Sequence, residues 1–136
     1  MSIKPVYINL FKIQLPLSAL LSITHRVSGM LIFFLVLPVS AYILNLLLES
    51  SDSFVLFMDS YNASIFIRTF VLFNILVFEY HVIAGIRHML MDFHLISETL
   101  SSSNTSAMAA LILFFVIQQE LVLVHLVMHI RKIYSF

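Results

Sequence analysis

The chain contains no cysteine, only two glycines and three prolines, and few charged residues. Without cysteine it cannot form a disulfide, supply a thiolate nucleophile or ligate an iron–sulfur cluster. Any redox group that it holds must use histidine, methionine, tyrosine or carboxylate ligands. The scarcity of glycine and proline disfavours a barrel of many hairpins, and the alternation typical of membrane strands is absent. Because the formal net charge is zero, no nucleic acid is expected as a partner.

Apolar residues dominate what remains, since 61% of the 136 residues are hydrophobic and 10% are charged. Soluble domains carry about a quarter charged residues, and so short a chain cannot bury this much apolar surface in one aqueous core. The composition therefore predicts an all-α protein embedded in a lipid bilayer. Three segments, at about 22–48, 64–90 and 107–130, are long enough to cross a hydrocarbon core of about 30 Å.

The spans are predicted to form one membrane-anchor domain, 1–136, preceded by a short amphipathic arm at residues 1–21. Pro38 lies in the middle of the first span and predicts a kink. Polar loops are expected at 49–60 and 87–106, the second of which contains a serine-rich stretch. The distribution of Lys and Arg slightly favours an N-terminus on the matrix or cytoplasmic side. No secretory signal or arginine-rich transit peptide is evident, so the chain is expected to insert through its own helices.

Histidines are the first candidates for chemistry, because six of them occur in a chain where polar side chains are costly. His81 and His88 are seven residues apart and share a helical face, on which Gly85 leaves space for a flat macrocycle. His81 is expected inside the second span, with Arg87 and His88 near the headgroups. This pattern predicts a haem whose iron is bound by His81 and whose propionates face the surface. The alternative is that His81 only hydrogen-bonds another helix.

One helix cannot supply both axial ligands of a haem iron, because the two ligands approach from opposite faces of the ring. Within the chain the candidates for the second ligand are His25 and His125, and His25 is expected to lie too close to the surface. Another helix or another chain is the remaining source. His125 and His129 share a face as a metal pair would, but interhelix hydrogen bonding is the favoured interpretation. The same interpretation is given to the neighbouring cluster Gln118, Gln119 and Glu120, while Glu79 either pairs with a neighbouring subunit or is protonated.

A second group of polar residues lies at the start of the first span. Ser22 and Arg26 are four residues apart and therefore on one helical face, at the membrane boundary. A hydroxyl and a guanidinium placed there can donate hydrogen bonds to a quinone headgroup whose tail stays in lipid. For Arg26 the alternative is an ordinary anchor that snorkels to the headgroups.

Two motifs, SITHRVSG at residues 22–29 and H…GIRHMLMD at residues 81–92, occur in this order at span ends. Together they resemble the cytochrome b556 subunit of succinate dehydrogenase, the larger membrane anchor of respiratory complex II. The resemblance implies that His81 is the axial ligand of a b-type haem and that a second, smaller anchor subunit gives the other histidine.

The same resemblance implies roles for the residues around His81. His25, Arg26 and His88 would hold the haem propionates, and Ser22 and Arg26 would line a ubiquinone pocket. A flavoprotein and an iron–sulfur subunit would carry out succinate chemistry, so no catalytic residue is expected in this chain. It would pass electrons from succinate to ubiquinone, linking the tricarboxylic acid cycle to the respiratory chain.

Two further functions remain open for such an anchor. A haem-free subunit could orient a soluble redox complex without electron transfer of its own, and a quinol:fumarate reductase anchor shares the same scaffold. Many Phe, Ile and Ser with few Gly suit an AT-rich organellar genome. The mitochondrial inner membrane is therefore the expected location, and a bacterial plasma membrane is the alternative.

Overall fold

The computed structural model describes residues 14–134, with side chains as far as Leu123 and that of Val127. Within this part every regular element is helical: α1 (Leu17–Leu31), a π-helical turn (Ile32–Val36), α2 (Leu37–Glu49), α3 (Ser51–Ala63), α4 (Ile65–Asp92) and α5 (Leu100–Tyr134). Three stretches are long and apolar enough to cross a membrane: Leu17–Glu49, Ile65–Asp92 and Leu100–Leu123. The predicted all-α class with three spans is confirmed. Most of the predicted N-terminal arm lies outside the described residues.

The first span is one continuous helix with a local change of winding before Pro38. The backbone N–H of Leu37 donates to the carbonyl of Ile32, five residues back, which closes a π-helical turn. Proline has no N–H to donate, and its ring clashes with the carbonyl four residues earlier in a regular α-helix. A single wider turn accommodates that clash. The sequence predicts a kink at Pro38, and the structure has a π-helical turn that ends at Val36, two residues before this proline.

The first polar loop was predicted incorrectly, because most of residues 49–60 belong to helix α3. The Ser50 side chain accepts a hydrogen bond from the backbone N–H of Ser53 at 3.1 Å, and Asp52 lies in the first turn. Both features stabilise a helix N-terminus, where N–H groups lack partners. These polar residues therefore start a helix instead of forming a turn, and α3 joins α4 through Ser64.

The second polar link is also shorter than the expected loop at 87–106. Helix α4 continues to Asp92 and ends where His94 adopts a left-handed conformation, with φ of 56°. Helix α5 then begins at Leu100, so the serine-rich stretch is its first turns. Serine disfavours a helix interior when its hydroxyl competes for the backbone, and it is tolerated when the hydroxyl bonds another group. Two of these serines, Ser103 and Ser106, accept hydrogen bonds from Arg87 of α4.

Most of the buried residues in the described part of the bundle are small or polar, with Leu21 and Val36 as the larger apolar ones, while many large apolar side chains face outward. Ala84 of α4 and Ala107 of α5 are 3% and 0% exposed, so the helices approach closely at these points. Outward-facing Phe34 and Phe66 are 75% and 83% exposed. Such a distribution places apolar surface against lipid, in agreement with a multi-pass membrane protein.

Candidate functional site

Three histidines from two helices converge between α1 and α4. The ring of His25 stacks on that of His81, with centroids 4.3 Å apart and planes 16° from parallel. The centroid of the His88 ring lies 4.9 Å from that of His25, with the ring planes 31° apart. The expectation that His25 lies too close to the surface to match His81 is therefore wrong. Helix α1 begins at Leu17, so His25 is already about 12 Å along the helix axis.

The two glycines of the chain lie where these rings pass against a facing helix. A Cβ at Gly29 would lie 3.1 Å from Cε1 of His81, and one at Gly85 would lie 3.2 Å from Nε2 of His25. Each distance is shorter than nearly all real Cβ contacts. The space predicted beside Gly85 for a macrocycle is thus occupied by the His25 ring in this structure. Both glycines allow imidazoles from opposite helices to cross at close range.

Ser28 orients the imidazole of His81. The Ser28 hydroxyl donates to the backbone carbonyl of His25 at 2.7 Å, and it lies 2.9 Å from Nδ1 of His81. A hydroxyl has one proton, so once it is donated the oxygen can only accept from the ring. With the hydroxyl proton on the His25 carbonyl, the tautomer of His81 that fits has its proton on Nδ1 and its lone pair on Nε2. Sequence reasoning gave Ser28 no role, although its position three residues after His25 is compatible with this bond.

The orientations of the imidazole rings determine how His25 and His81 could bind a metal ion. His25 and His81 lie face to face, whereas two axial ligands point their nitrogens at one iron from opposite sides of a macrocycle. As arranged, the pair cannot be a bis-histidine ligand set. Among the described residues no three His, Asp or Glu side chains are placed to bind a metal ion together. What the arrangement does provide is a hydrogen bond between Ser28 and Nδ1 of His81, while Nε2 of His81 has no hydrogen bond among the described residues.

Ser22 and Arg26 occupy the same helix one turn apart, on the N-terminal half of α1. Ser22 is half-buried, Arg26 is exposed, and neither has a hydrogen-bond partner among the described residues. Between them, Thr24 hydrogen-bonds the hydroxyl of Tyr80 on α4. This bond ties α1 to α4 beside the histidines, and it was not predicted from sequence. Among the described residues, the donors of Ser22 and Arg26 thus have no hydrogen-bond acceptor, and both residues belong to a regular helix.

Arg87 has a different environment from the one predicted, because it is 4% exposed instead of lying among headgroups. Its Nη2 donates to the carbonyl and hydroxyl of Ser103 at 2.9 and 3.0 Å, and its Nε donates to the Ser106 hydroxyl at 3.0 Å. These bonds join the end of α4 to the start of α5. The guanidinium therefore serves as an interhelix clamp, and the serine-rich stretch supplies its acceptors.

Replacing Arg87 with methionine is expected to lower the stability of the membrane domain. The change removes three hydrogen bonds and leaves the buried Ser103 hydroxyl without its partner, at a cost of about 1–3 kcal/mol, while the Ser103 carbonyl still accepts from the Ser106 hydroxyl. Thermal melting of the purified complex measures the loss. Arg68→Met is the matched control, because Arg68 donates a single bond, to the carbonyl of Asn62, at an exposed site. Equal melting temperatures for the two variants would contradict the clamp.

One further polar contact links α4 to α5. The Gln118 amide donates to Oε2 of Glu79, and Oε1 of Glu79 is buried without a hydrogen-bond partner among the described residues. This contact gives Gln118 the interhelix bond expected for it and gives Glu79 a neighbour that the sequence did not reveal. The side chains of His125 and His129 lie outside the described residues.

Comparison with known proteins identifies the group to which this three-span anchor belongs. Residues 2–118 match the family model described as Succinate dehydrogenase/Fumarate reductase transmembrane subunit. The chain belongs to this family. A relative from Coxiella burnetii, named succinate dehydrogenase cytochrome b556 subunit, is 35% identical over 91 residues. That match covers 65% of this chain and 70% of the relative.

The family assignment confirms the resemblance inferred from the two sequence motifs. The matched region, residues 2–118, contains all of α1 and α4 and therefore the whole histidine cluster. It ends at Gln118, within α5. A membrane subunit of this family is one component of a larger succinate dehydrogenase or fumarate reductase complex, so its site is to be understood together with other subunits.

Proposed function

We propose that this chain is the large membrane anchor of a succinate:ubiquinone oxidoreductase and that His81 ligates a b-type haem through Nε2. The observation that supports ligation most directly is the bond between Ser28 and Nδ1 of His81. Histidines that bind metals usually donate their other ring N–H to a fixed acceptor, which sets the tautomer and raises ligand basicity. The name of the Coxiella burnetii relative, a cytochrome b556 subunit, supports the same cofactor.

The other axial ligand is proposed to come from a second, smaller membrane anchor subunit. The face-to-face arrangement of His25 and His81 supports this, because it leaves His25 unable to approach the iron opposite His81. His25 and His88, with Arg26, are instead proposed to hold the propionate carboxylates through N–H donors. When bound, a b-type haem supplies one-electron redox chemistry at this depth of the membrane.

Ser22 and Arg26 are proposed to hold the ubiquinone headgroup. Neither side chain donates a hydrogen bond within the part of the chain that the structure describes, and both lie within about 14 Å of the start of α1 along its axis. A hydroxyl and a guanidinium can donate to quinone carbonyls there and can stabilise the negative charge that develops on oxygen during reduction. The apolar exterior of the bundle leaves the isoprenoid tail in lipid.

The proposal also assigns succinate oxidation and the iron–sulfur clusters to other subunits, and it names the membrane that holds the complex. A flavoprotein oxidises succinate, an iron–sulfur subunit transfers the electrons, and this chain contains no catalytic residue for either step. Absence of cysteine agrees with placing the clusters elsewhere. We place the complex in the mitochondrial inner membrane with the N-terminus of this chain on the matrix side. A bacterial plasma membrane is the alternative.

The deciding experiment is purification of the complex through a tag on this chain. We expect a flavoprotein, an iron–sulfur protein and a second small membrane protein to co-purify, with a low-spin b-type signal in the dithionite-reduced minus oxidised spectrum. Co-purification without that signal would support the haem-free anchor instead. Since the family also includes fumarate reductase subunits, rates of succinate oxidation by ubiquinone and of fumarate reduction by quinol decide the physiological direction.

A further inference from the structure

Tyr80 contacts both of the other long helices beside the histidine cluster. Its hydroxyl forms a hydrogen bond with the hydroxyl of Thr24 on α1. Its ring packs edge-on against Phe114 of α5, with centroids 5.7 Å apart and planes at 85°. Tyr80 immediately precedes His81, so these contacts lie one residue from the proposed haem ligand. The proposed haem and quinone contacts use neither the Tyr80 nor the Thr24 hydroxyl.

The direction of the bond between Thr24 and Tyr80 follows from a second contact of Thr24. The Thr24 hydroxyl lies 2.9 Å from the backbone carbonyl of Leu20 in its own helix. A carbonyl can only accept, so the single proton of the Thr24 hydroxyl is donated within α1. Tyr80 is therefore the donor, and Thr24 accepts from it. Removing the Tyr80 hydroxyl would leave the Thr24 proton on its carbonyl, so no donor at this contact would lose its acceptor.

Thr24 lies on the opposite side of α1 from the residues proposed to hold ubiquinone. Successive residues of an α-helix are about 100° apart, so Ser22 and Arg26 lie about 40° from one another around the axis. Thr24 lies about 160° from each of them. Tyr80 thus holds one side of the helical turn whose other side carries the two quinone donors. It can act on those donors only through α1.

Few polar contacts hold this half of α1 against its neighbours. The backbone N–H of Ser18 donates to Oδ1 of Asn104 on α5 at 3.1 Å, and Ser28 bonds His81 on α4. The bond of Thr24 lies between these two points. Without it, no hydrogen bond among the described residues would join α1 to another helix between positions 18 and 28. The two quinone donors lie within that stretch.

The placement of these donors matters because charge changes on the group that they bind. Reduction of ubiquinone adds two electrons, which the proposed function draws from succinate, and two protons from the aqueous phase. Negative charge on a quinone oxygen grows before its proton arrives, so hydrogen bonds from Ser22 and Arg26 strengthen during the reaction. Displaced donors therefore lose more in the transition state than in the ground state, which lowers kcat more than it raises KM.

We propose that Tyr80 is a positioning residue for ubiquinone reduction, whose hydroxyl holds, through Thr24, the turn of α1 that carries the quinone donors. Contact with Phe114 fixes the tyrosine ring, and the hydrogen bond to Thr24 transmits that position to α1. The inference rests on the proposed quinone site at Ser22 and Arg26. It gives α4 a part in that site without any contact between Tyr80 and the substrate.

Steady-state kinetics of the purified complex with a short-chain ubiquinone test this role. Tyr80→Phe keeps the ring and removes only the donor. We expect kcat for quinone reduction to fall about two- to tenfold, the effect of one neutral hydrogen bond, with a smaller change in KM. Thr24→Val removes the acceptor and should have the same effect, whereas Thr24→Ser keeps the hydroxyl and should retain most of kcat. Tyr42→Phe, at a 65% exposed position of α2, is the matched control and should leave kcat unchanged.

A combined variant distinguishes positioning from a general loss of packing. Because Tyr80 acts through the quinone donors, Tyr80→Phe should lower kcat in the unchanged protein but not in a Ser22→Ala/Arg26→Ala background. An equal fold-loss in both backgrounds would overturn the inference, and so would a normal kcat for Tyr80→Phe in a complex that Arg26→Ala impairs. Full quinone reduction by the Ser22→Ala/Arg26→Ala variant would instead refute the proposed quinone site, and the positioning role with it.

Discussion

Replacing His81 by alanine is expected to remove the low-spin b-type signal from the reduced minus oxidised spectrum of the purified complex. In the proposed site this chain provides one axial nitrogen, Nε2 of His81. No other described histidine is placed to replace it, because His25 stacks on its ring and His88 lies two helical turns away along α4. Haem content per flavin, measured after purification, distinguishes lost haem from haem with altered ligation.

Two further variants separate ligation from general damage to the helix pair. Ser28→Ala keeps Nε2 but removes the acceptor for Nδ1–H, so we expect haem to be retained about 10–100-fold more weakly. His94→Ala removes an exposed histidine beyond the end of α4, and its spectrum should equal that of the unchanged protein. An unaltered low-spin signal in His81→Ala would exclude His81 as a ligand.

The three-span helical bundle could be predicted from sequence because composition alone determines it. A long apolar run with few charges satisfies its backbone hydrogen bonds in lipid by forming a helix, and the chain has three such runs. Residues at the ends of the runs were harder to place. Ser50 and Asp52 read as loop residues, but a helix N-terminus uses the same residue types as caps. Local composition cannot distinguish these two uses of a serine.

Interhelix geometry was the part that sequence could not provide. The depth of His25 in the bundle depends on where α1 begins. Helix α1 begins at Leu17, several residues before the predicted first span at about 22–48. The burial of Arg87 depends on Ser103 and Ser106 reaching it from α5. Spacing within one helix shows which residues share a face, but the facing residue is set by packing between helices. His81 could therefore be named from sequence as a candidate ligand, and that stays a prediction, while its contact with Ser28 could not be foreseen.

Replacing Arg26 by alanine is expected to lower quinone reduction while leaving succinate oxidation by an artificial acceptor unchanged. A hydrogen bond from a charged donor contributes about 1.5–3 kcal/mol, which corresponds to about a ten- to hundredfold loss in kcat/KM. The artificial acceptor takes electrons from the soluble subunits, so its rate serves as an internal control for assembly. Ser22→Ala should act in the same direction with a smaller effect, because its hydroxyl is a neutral donor.

Arg26→Lys separates a quinone ligand from a membrane anchor. Lysine snorkels as well as arginine, so an anchoring role predicts full recovery of quinone reduction in this variant. A headgroup contact predicts partial recovery, since an ammonium is a point charge and cannot reproduce the planar fork of the guanidinium. Because Arg26 is exposed and has no hydrogen-bond partner among the described residues, neither substitution should disturb the fold. Full activity in Arg26→Lys together with poor assembly of Arg26→Ala would therefore assign the residue to anchoring and leave quinone binding to other donors.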